Sequence, residues 1–209
     1  MSGPVPTVFV VDDDASFLAG VTRLLRASGF IVKTFSSAAE FLAQRPLDAP
    51  GCVLTDLQMP GMSGTELQAA LAKTENPLPI VFLTGQGDIP TSVQAMRHGA
   101  EDFLTKLGPK EDLLAAVNRA LERDVRERKA RDRRRELNAR FANLTPRERE
   151  VLAQVLRGHL NKQIAADLGI DERSVKRHRT SLMGKLKVQS VAELVHLADE
   201  AGGEWRGAA

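Results

Sequence analysis

The chain has one cysteine, Cys52, which cannot close an internal disulfide, and its four histidines, His98, His159, His178 and His196, show no spacing that would join it in a zinc site. Cys52 reads instead as a small core residue at the start of a strand. Long apolar runs are also missing. None approaches the roughly 18 residues that a membrane span needs, so no membrane partner is expected. The opening MSGPVPTVFVVDDD places no Lys or Arg ahead of a short apolar run that three aspartates end, which does not fit a secretory leader. The expectation is a cytoplasmic protein.

What is present points to two globular parts. The 209 residues, 43% hydrophobic and 27% charged, suffice for two modest cores or for one large one, so the sequence pattern has to decide between them. The net charge of +2 hides an asymmetry: residues 1–121 hold 9 basic and 13 acidic side chains, whereas residues 122–209 hold 20 basic and 14 acidic. Such a split implies different partners for the two halves, with nucleic acid the natural one for the basic half.

From Thr7 to Leu121, short apolar strands alternate with amphipathic helical stretches. The strands read as TVFVV (7–11), IVKTF (31–35), CVLTD (52–56), PIVFLT (79–84) and DFLTK (102–106); the helices as Ser16–Ala27, Ala38–Ala43, Thr65–Ala72, Pro90–His98 and Glu111–Leu121. Five such units predict an α/β, doubly wound, five-stranded parallel sheet of order 2-1-3-4-5. Residues 122–140 are nearly free of apolar side chains, and pairs such as Glu122/Arg126, Asp124/Arg128 and Glu127/Arg131 fall at i,i+4. They predict a solvated helical linker. Leu114, Val117, Leu121 and Val125 are expected to pack on the sheet. The remainder, 141–203, predicts a small all-α domain of four helices, at Pro146–Leu156, Lys162–Leu168, Glu172–Leu186 and Val191–Asp199. Thr145, Pro146 and Glu148 form a capping-box start, and Asp171 and Ser190 are further N-caps.

In a doubly wound sheet, ligands bind beyond the carboxyl ends of the strands where the order reverses. Strands one and three end there in Asp12-Asp13-Asp14 and in Asp56. Carboxylates within about 5 Å of one another would repel by roughly 3 kcal/mol at an effective dielectric of 20, so a hard cation such as Mg2+ is the natural companion. Strand four ends in Thr84 and strand five in Lys106, bringing a hydroxyl and an ammonium to the same mouth. The set suits a carboxylate nucleophile, Asp56, that accepts a phosphoryl group. Aspartates at strand ends are ordinarily only turn residues, but that reading would have to hold at four strand ends at once.

Together, VVDDD, TDLQMPGMSG, FLTGQGD and GAEDFLTK resemble the receiver domain of the FixJ type. The resemblance implies phosphotransfer from a sensor histidine kinase to Asp56, with magnesium bound by Asp13, Asp56 and the backbone carbonyl of Gln58, and by Asp12 largely through water. It also implies a switch in which Thr84 moves toward the phosphate, Phe103 turns inward, and the phosphorylated protein becomes a homodimer. The pattern departs at Leu107. Receivers of this type usually follow the lysine with a proline in a cis peptide, and a cis bond before leucine would cost about 2.5–4 kcal/mol. A trans or locally altered loop is therefore expected, with Lys106 displaced from the phosphate.

NKQIAADLGIDERSVKRHRTSLMGKL, residues 161–186, has the short helix, turn and longer helix of a helix-turn-helix. On a helical wheel Val175, Leu182, Met183 and Leu186 share one apolar arc, whereas Arg173, Lys176, Arg177, Thr180, Ser181, Gly184 and Lys187 share the opposite one. Gly184 costs about 1 kcal/mol relative to alanine inside a helix, and close packing is the expected reason for it. With LTPREREVL at 144–152 and the final AELVHLA, this part is similar to the LuxR-type DNA-binding domain. That resemblance implies double-stranded DNA as partner, with Lys176, Arg177 and Thr180 facing base edges and Lys162, Arg179 and Lys185 nearer the backbone. A transcription regulator of this kind also implies contact with RNA polymerase.

The reading is a two-component response regulator and not an enzyme. An aspartate-nucleophile phosphatase, hinted at by Asp12-x-Asp14, would need a larger domain and a cap. A third reading keeps the DNA binder but makes the receiver a constitutive or atypically switched dimerisation module.

Overall fold

The computed structural model describes residues 5–85 and 95–202. Five strands, β1 (Thr7–Val11), β2 (Ile31–Phe35), β3 (Gly51–Asp56), β4 (Ile80–Thr84) and β5 (Asp102–Thr105), form one parallel sheet of order β2-β1-β3-β4-β5. The expected fold class and strand order are both present. The strands are near-continuous apolar runs because both faces are covered. Pleating sends Phe9, Val11, Val53 and Phe82 to one core, with Phe41, Leu67 and Leu71, and sends Val8, Val10, Leu54 and Val81 to the other, with Val21, Leu25 and Val117. Cys52 is buried in the second core.

Three of the helices flanking the sheet are α1 (Ala15–Ala27), α2 (Ala38–Gln44) and α3 (Gly64–Ala72), each held at its start by a side-chain cap from Asp14, Ser37 or Ser63. The helix predicted at Pro90–His98 lies outside the described residues except at its end, where residues 95–97 are helical.

Helix α4 (Lys110–Ala142) joins the last predicted receiver helix and the predicted linker into one element. The chain divides into two compact units, Met1–Arg128 and Lys129–Ala209. The linker is not uniformly solvated. Asp124 is buried, its Oδ2 accepting from Gly51 N at 2.9 Å and from Arg128 Nε at 2.9 Å, while Arg128 donates to the carbonyls of Asp48 and Ala49. Gly51 begins a strand, and its amide finds in Asp124 the acceptor a buried donor requires. Leu114, Val117 and Leu121 pack on the sheet as expected, but Val125 does not: it is 58% exposed, one turn beyond the end of the apolar face.

In the second unit, Leu137 and Phe141 of α4 share a core with α5 (Pro146–Leu156), α6 (Asn161–Leu168), α7 (Glu172–Leu186) and α8 (Val191–Glu200). The caps follow the sequence: Thr145 and Glu148 make a reciprocal capping box, and Asp171 and Ser190 accept from Ser174 N and Glu193 N. Gly169 takes the left-handed conformation, φ 63°, that ends α6 and turns the chain toward α7.

Candidate functional site

Because all five strands run the same way, their carboxyl ends share one edge of the sheet. Asp12 and Asp13 follow β1, Asp56 ends β3, Thr84 ends β4, and Lys106 follows β5, its amide donating to the Thr84 carbonyl at 2.8 Å. Asp12, Asp13 and Asp56 each offer an oxygen within 4.8 Å of the others, with Asp12 buried, Asp13 exposed and Asp56 between. Lys106 Nζ lies 2.6 Å from Asp12 Oδ2 and 2.9 Å from Asp56 Oδ2. The displacement of Lys106 expected from Leu107 is therefore not found. No peptide bond among the described residues is cis, and Leu107 itself is 94% exposed.

The electrostatics follow from burial and pairing. Burial pushes the Asp12 carboxyl above its ordinary pKa, and Lys106 and the Asp14 amide only partly offset this. For Lys106, burial acts against the charged form, but hydrogen bonds and charges from Asp12 and Asp56 outweigh it and leave the pKa raised. Asp56 is oriented by its own backbone, since Oδ1 accepts from Leu57 N at 2.6 Å and Gln58 N at 3.4 Å. Three carboxylate oxygens at this spacing could hold a hard divalent cation. Thr84 is buried, Gln58 exposed, and Phe103 half-buried against the first core, its ring centroid 6.1 Å from that of Phe82. Asp14 points elsewhere: its Oδ1 accepts from Ser16 N at 2.8 Å and Phe17 N at 3.1 Å, capping α1.

Two residues at this mouth escaped the sequence reading. Gly64 is one: a Cβ there would overlap the Asp56 carbonyl oxygen and stand 3.0 Å from the Phe82 ring. Its place in MPGMSG was the available signal. Phe17 is the other, with Lys106 Nζ 4.6 Å from its ring centroid. Nothing in the sequence connects these two, because the contact depends on how α1 lies on the sheet.

In the second unit, α7 buries Val175, Leu182 and Leu186 and half-buries Met183, as its wheel predicts. Arg173, Lys176, Arg177, Thr180 and Ser181 are exposed on the other side, and Lys162 is exposed on α6. Lys176 pairs with Glu172 at 3.6 Å. Arg179 is half-buried and donates to Asn161 Oδ1 at 2.6 Å, while Lys185 Nζ lies 2.7 Å from Glu148 Oε2. Glu148 is buried; hydrogen bonds from Lys185, Ser181 and Thr145 overcome the cost of that burial and hold its carboxyl down at about 2. Close packing within the domain does not account for Gly184, since a Cβ there would meet nothing within 4 Å and the residue is exposed.

Comparison with known proteins covers both units. Residues 8–118 match the response regulator receiver domain family, and residues 142–198 match the bacterial regulatory proteins of the luxR family. The chain is 41% identical over 199 residues to the response regulator protein TodT of Pseudomonas putida, covering 95% of this chain and 88% of that protein. It is 42% identical over 196 residues to the transcriptional regulatory protein FixJ of Azorhizobium caulinodans, covering 93% and 92%. Among solved structures, the response regulator StyR is similar with a TM-score of 0.79 and 48% identity over 94% of this chain and 99% of that one.

Proposed function

This chain belongs to the response regulators that join a receiver domain to a LuxR-family DNA-binding domain, and from that premise we propose that a sensor histidine kinase phosphorylates Asp56 and so controls sequence-specific DNA binding and transcription. The observation that carries this reading is the seat of the Lys106 ammonium between Asp12 and Asp56. A lysine ammonium shared by two carboxylates, with a third nearby, supports reading Asp56 as the nucleophile.

In the transfer, an oxygen of Asp56 forms a bond to phosphorus as the bond from phosphorus to the donor imidazole breaks, leaving its electron pair on nitrogen. Asp13, Asp56 and the Gln58 carbonyl, with Asp12 beside them, would hold a magnesium ion, which when bound would supply positive charge against the phosphoryl oxygens. Lys106 moves its ammonium from the lost carboxylate charge to the phosphoryl group. Thr84 donates its hydroxyl to a phosphoryl oxygen, and Phe103 turns inward to fill the space left behind. The changed face then pairs with a second copy. At the other unit, Lys176, Arg177 and Thr180 reach base edges, while Lys162, Arg179 and Lys185 meet phosphates, and the bound dimer contacts RNA polymerase. Arg179 and Lys185 bond to Asn161 and Glu148 within the domain, and on this reading each shares its remaining N–H donors with a phosphate.

A receiver that only dimerises would have no need of a lysine at the Asp56 carboxylate, and the position of Lys106 on Asp56 speaks against that alternative. The test is incubation of the full chain with acetyl phosphate and Mg2+, followed by intact-mass measurement. One phosphoryl group on the wild type and none on Asp56→Asn is the expected result; an equal gain on both would move the site elsewhere.

A further inference from the structure

Lysine carries a flexible four-carbon stem with about 2 kcal/mol of rotamer entropy, so an ammonium kept in one place needs contacts to hold it. The residue after Lys106 offers nothing, since Leu107 is 94% exposed. On one side of the ammonium stand Asp12 and Asp56. Phe17 supplies a further contact, with its ring centroid 4.6 Å from Nζ. Asp14, by capping α1 through the amides of Ser16 and Phe17, fixes the first helical turn from which that ring projects. Phe17 and Lys106 also line a cavity of about 390 Å3 together with Gly20, Leu24, Leu104 and Pro109.

We propose that Phe17 is a positioning residue for phosphoryl transfer, its ring face holding the Lys106 ammonium at the mouth of the sheet and out of the adjoining cavity. This inference rests on the reading of Asp56 as the phosphoryl acceptor. An aromatic face is suited to the task because its attraction for a cation is not a directional bond. The ammonium can travel from the Asp56 carboxylate to the new phosphoryl oxygens while remaining over the ring, whereas a carboxylate in place of Phe17 would trap it.

Phe17→Leu keeps an apolar side chain but removes the ring; Phe17→Tyr keeps the ring. With acetyl phosphate and Mg2+, the leucine variant of the full chain should gain phosphoryl groups about 3- to 30-fold more slowly, and the tyrosine variant should stay within about twofold of wild type. Independently, in metal-free protein the ring should shift the NMR signals of the Lys106 ε-methylene protons upfield, and Phe17→Leu should return them to ordinary values. A leucine variant as fast as wild type, equal slowing of both variants, or ordinary ε-methylene shifts in the wild type would each overturn the proposal. Failure of the wild type to take a phosphoryl group, with the upfield shift present, would instead overturn the reading of Asp56.

Discussion

Gly64 stands against Asp56 so closely that a Cβ on it would overlap the Asp56 carbonyl oxygen, while its own amide donates to Leu57 at 3.0 Å. The loop after Asp56 is thus set by the absence of a side chain at the first residue of α3. Gly64→Ala must move the backbone at Asp56, and with it the carboxylate that Leu57 and Gln58 orient. The expected outcome is a fold that persists with at least about tenfold slower phosphorylation, since a displacement near 1 Å of a reacting group can cost more than that. Intact-mass kinetics with acetyl phosphate, beside a circular dichroism spectrum, check both parts.

Lys106→Met leaves Asp12, 1% exposed, without its cation. Removing one partner of a buried pair costs on the order of 3 kcal/mol. Mg2+ should restore part of the loss, so the rise in Tm on adding Mg2+ should be larger for this variant than for wild type. Thermal melts with and without the ion decide the point, and an equal rise in both proteins would contradict it.

Much of the acidic mouth was legible because parallel strands deliver all their last residues to one edge, so Asp12, Asp13, Asp56, Thr84 and Lys106 could be placed together from strand ends alone. What required a third dimension was not legible. Phe17 meets Lys106 through the lie of α1 on the sheet, and Asp124 is buried because the Gly51 amide 73 residues earlier needs an acceptor. As an i,i+4 pair, Asp124 and Arg128 looked like any solvated helix pair. In the second unit the wheel separated buried from exposed residues on α7, but it gave no sign that Lys185 and Arg179 have partners within the domain.

Glu148 ties α5 to α7 by accepting from Ser181 Oγ and Lys185 Nζ, both at 2.7 Å. Its carboxyl is held at about 2 against an ordinary 4.5. A folded-state pKa below the unfolded one contributes stability above the unfolded value and loses it as pH falls through the folded value. Glu148→Gln should therefore weaken hydrogen-exchange protection in α7 by about 1–3 kcal/mol near pH 7. The gap between variant and wild type should close as pH falls from about 4.5 toward 2. A gap independent of pH would show that packing, not charge, is lost.

Gly184→Ala tests why an exposed helix position carries glycine. With nothing within 4 Å of a new Cβ, the substitution should stabilise α7 by about 0.5–1 kcal/mol. If the position lies against DNA, affinity for a duplex enriched from a random pool should fall while stability rises. A gain in stability with no loss of affinity would place Gly184 away from the groove.

The most direct test joins the two units in one sample. Wild type and Asp56→Asn are treated with acetyl phosphate and Mg2+, weighed intact, and titrated against the same enriched duplex at fixed salt, because affinity without a stated salt concentration has no meaning. The account predicts that only the wild type gains a phosphoryl group and that its DNA affinity changes with that gain. Phosphorylated and unphosphorylated wild type binding the duplex equally would contradict it.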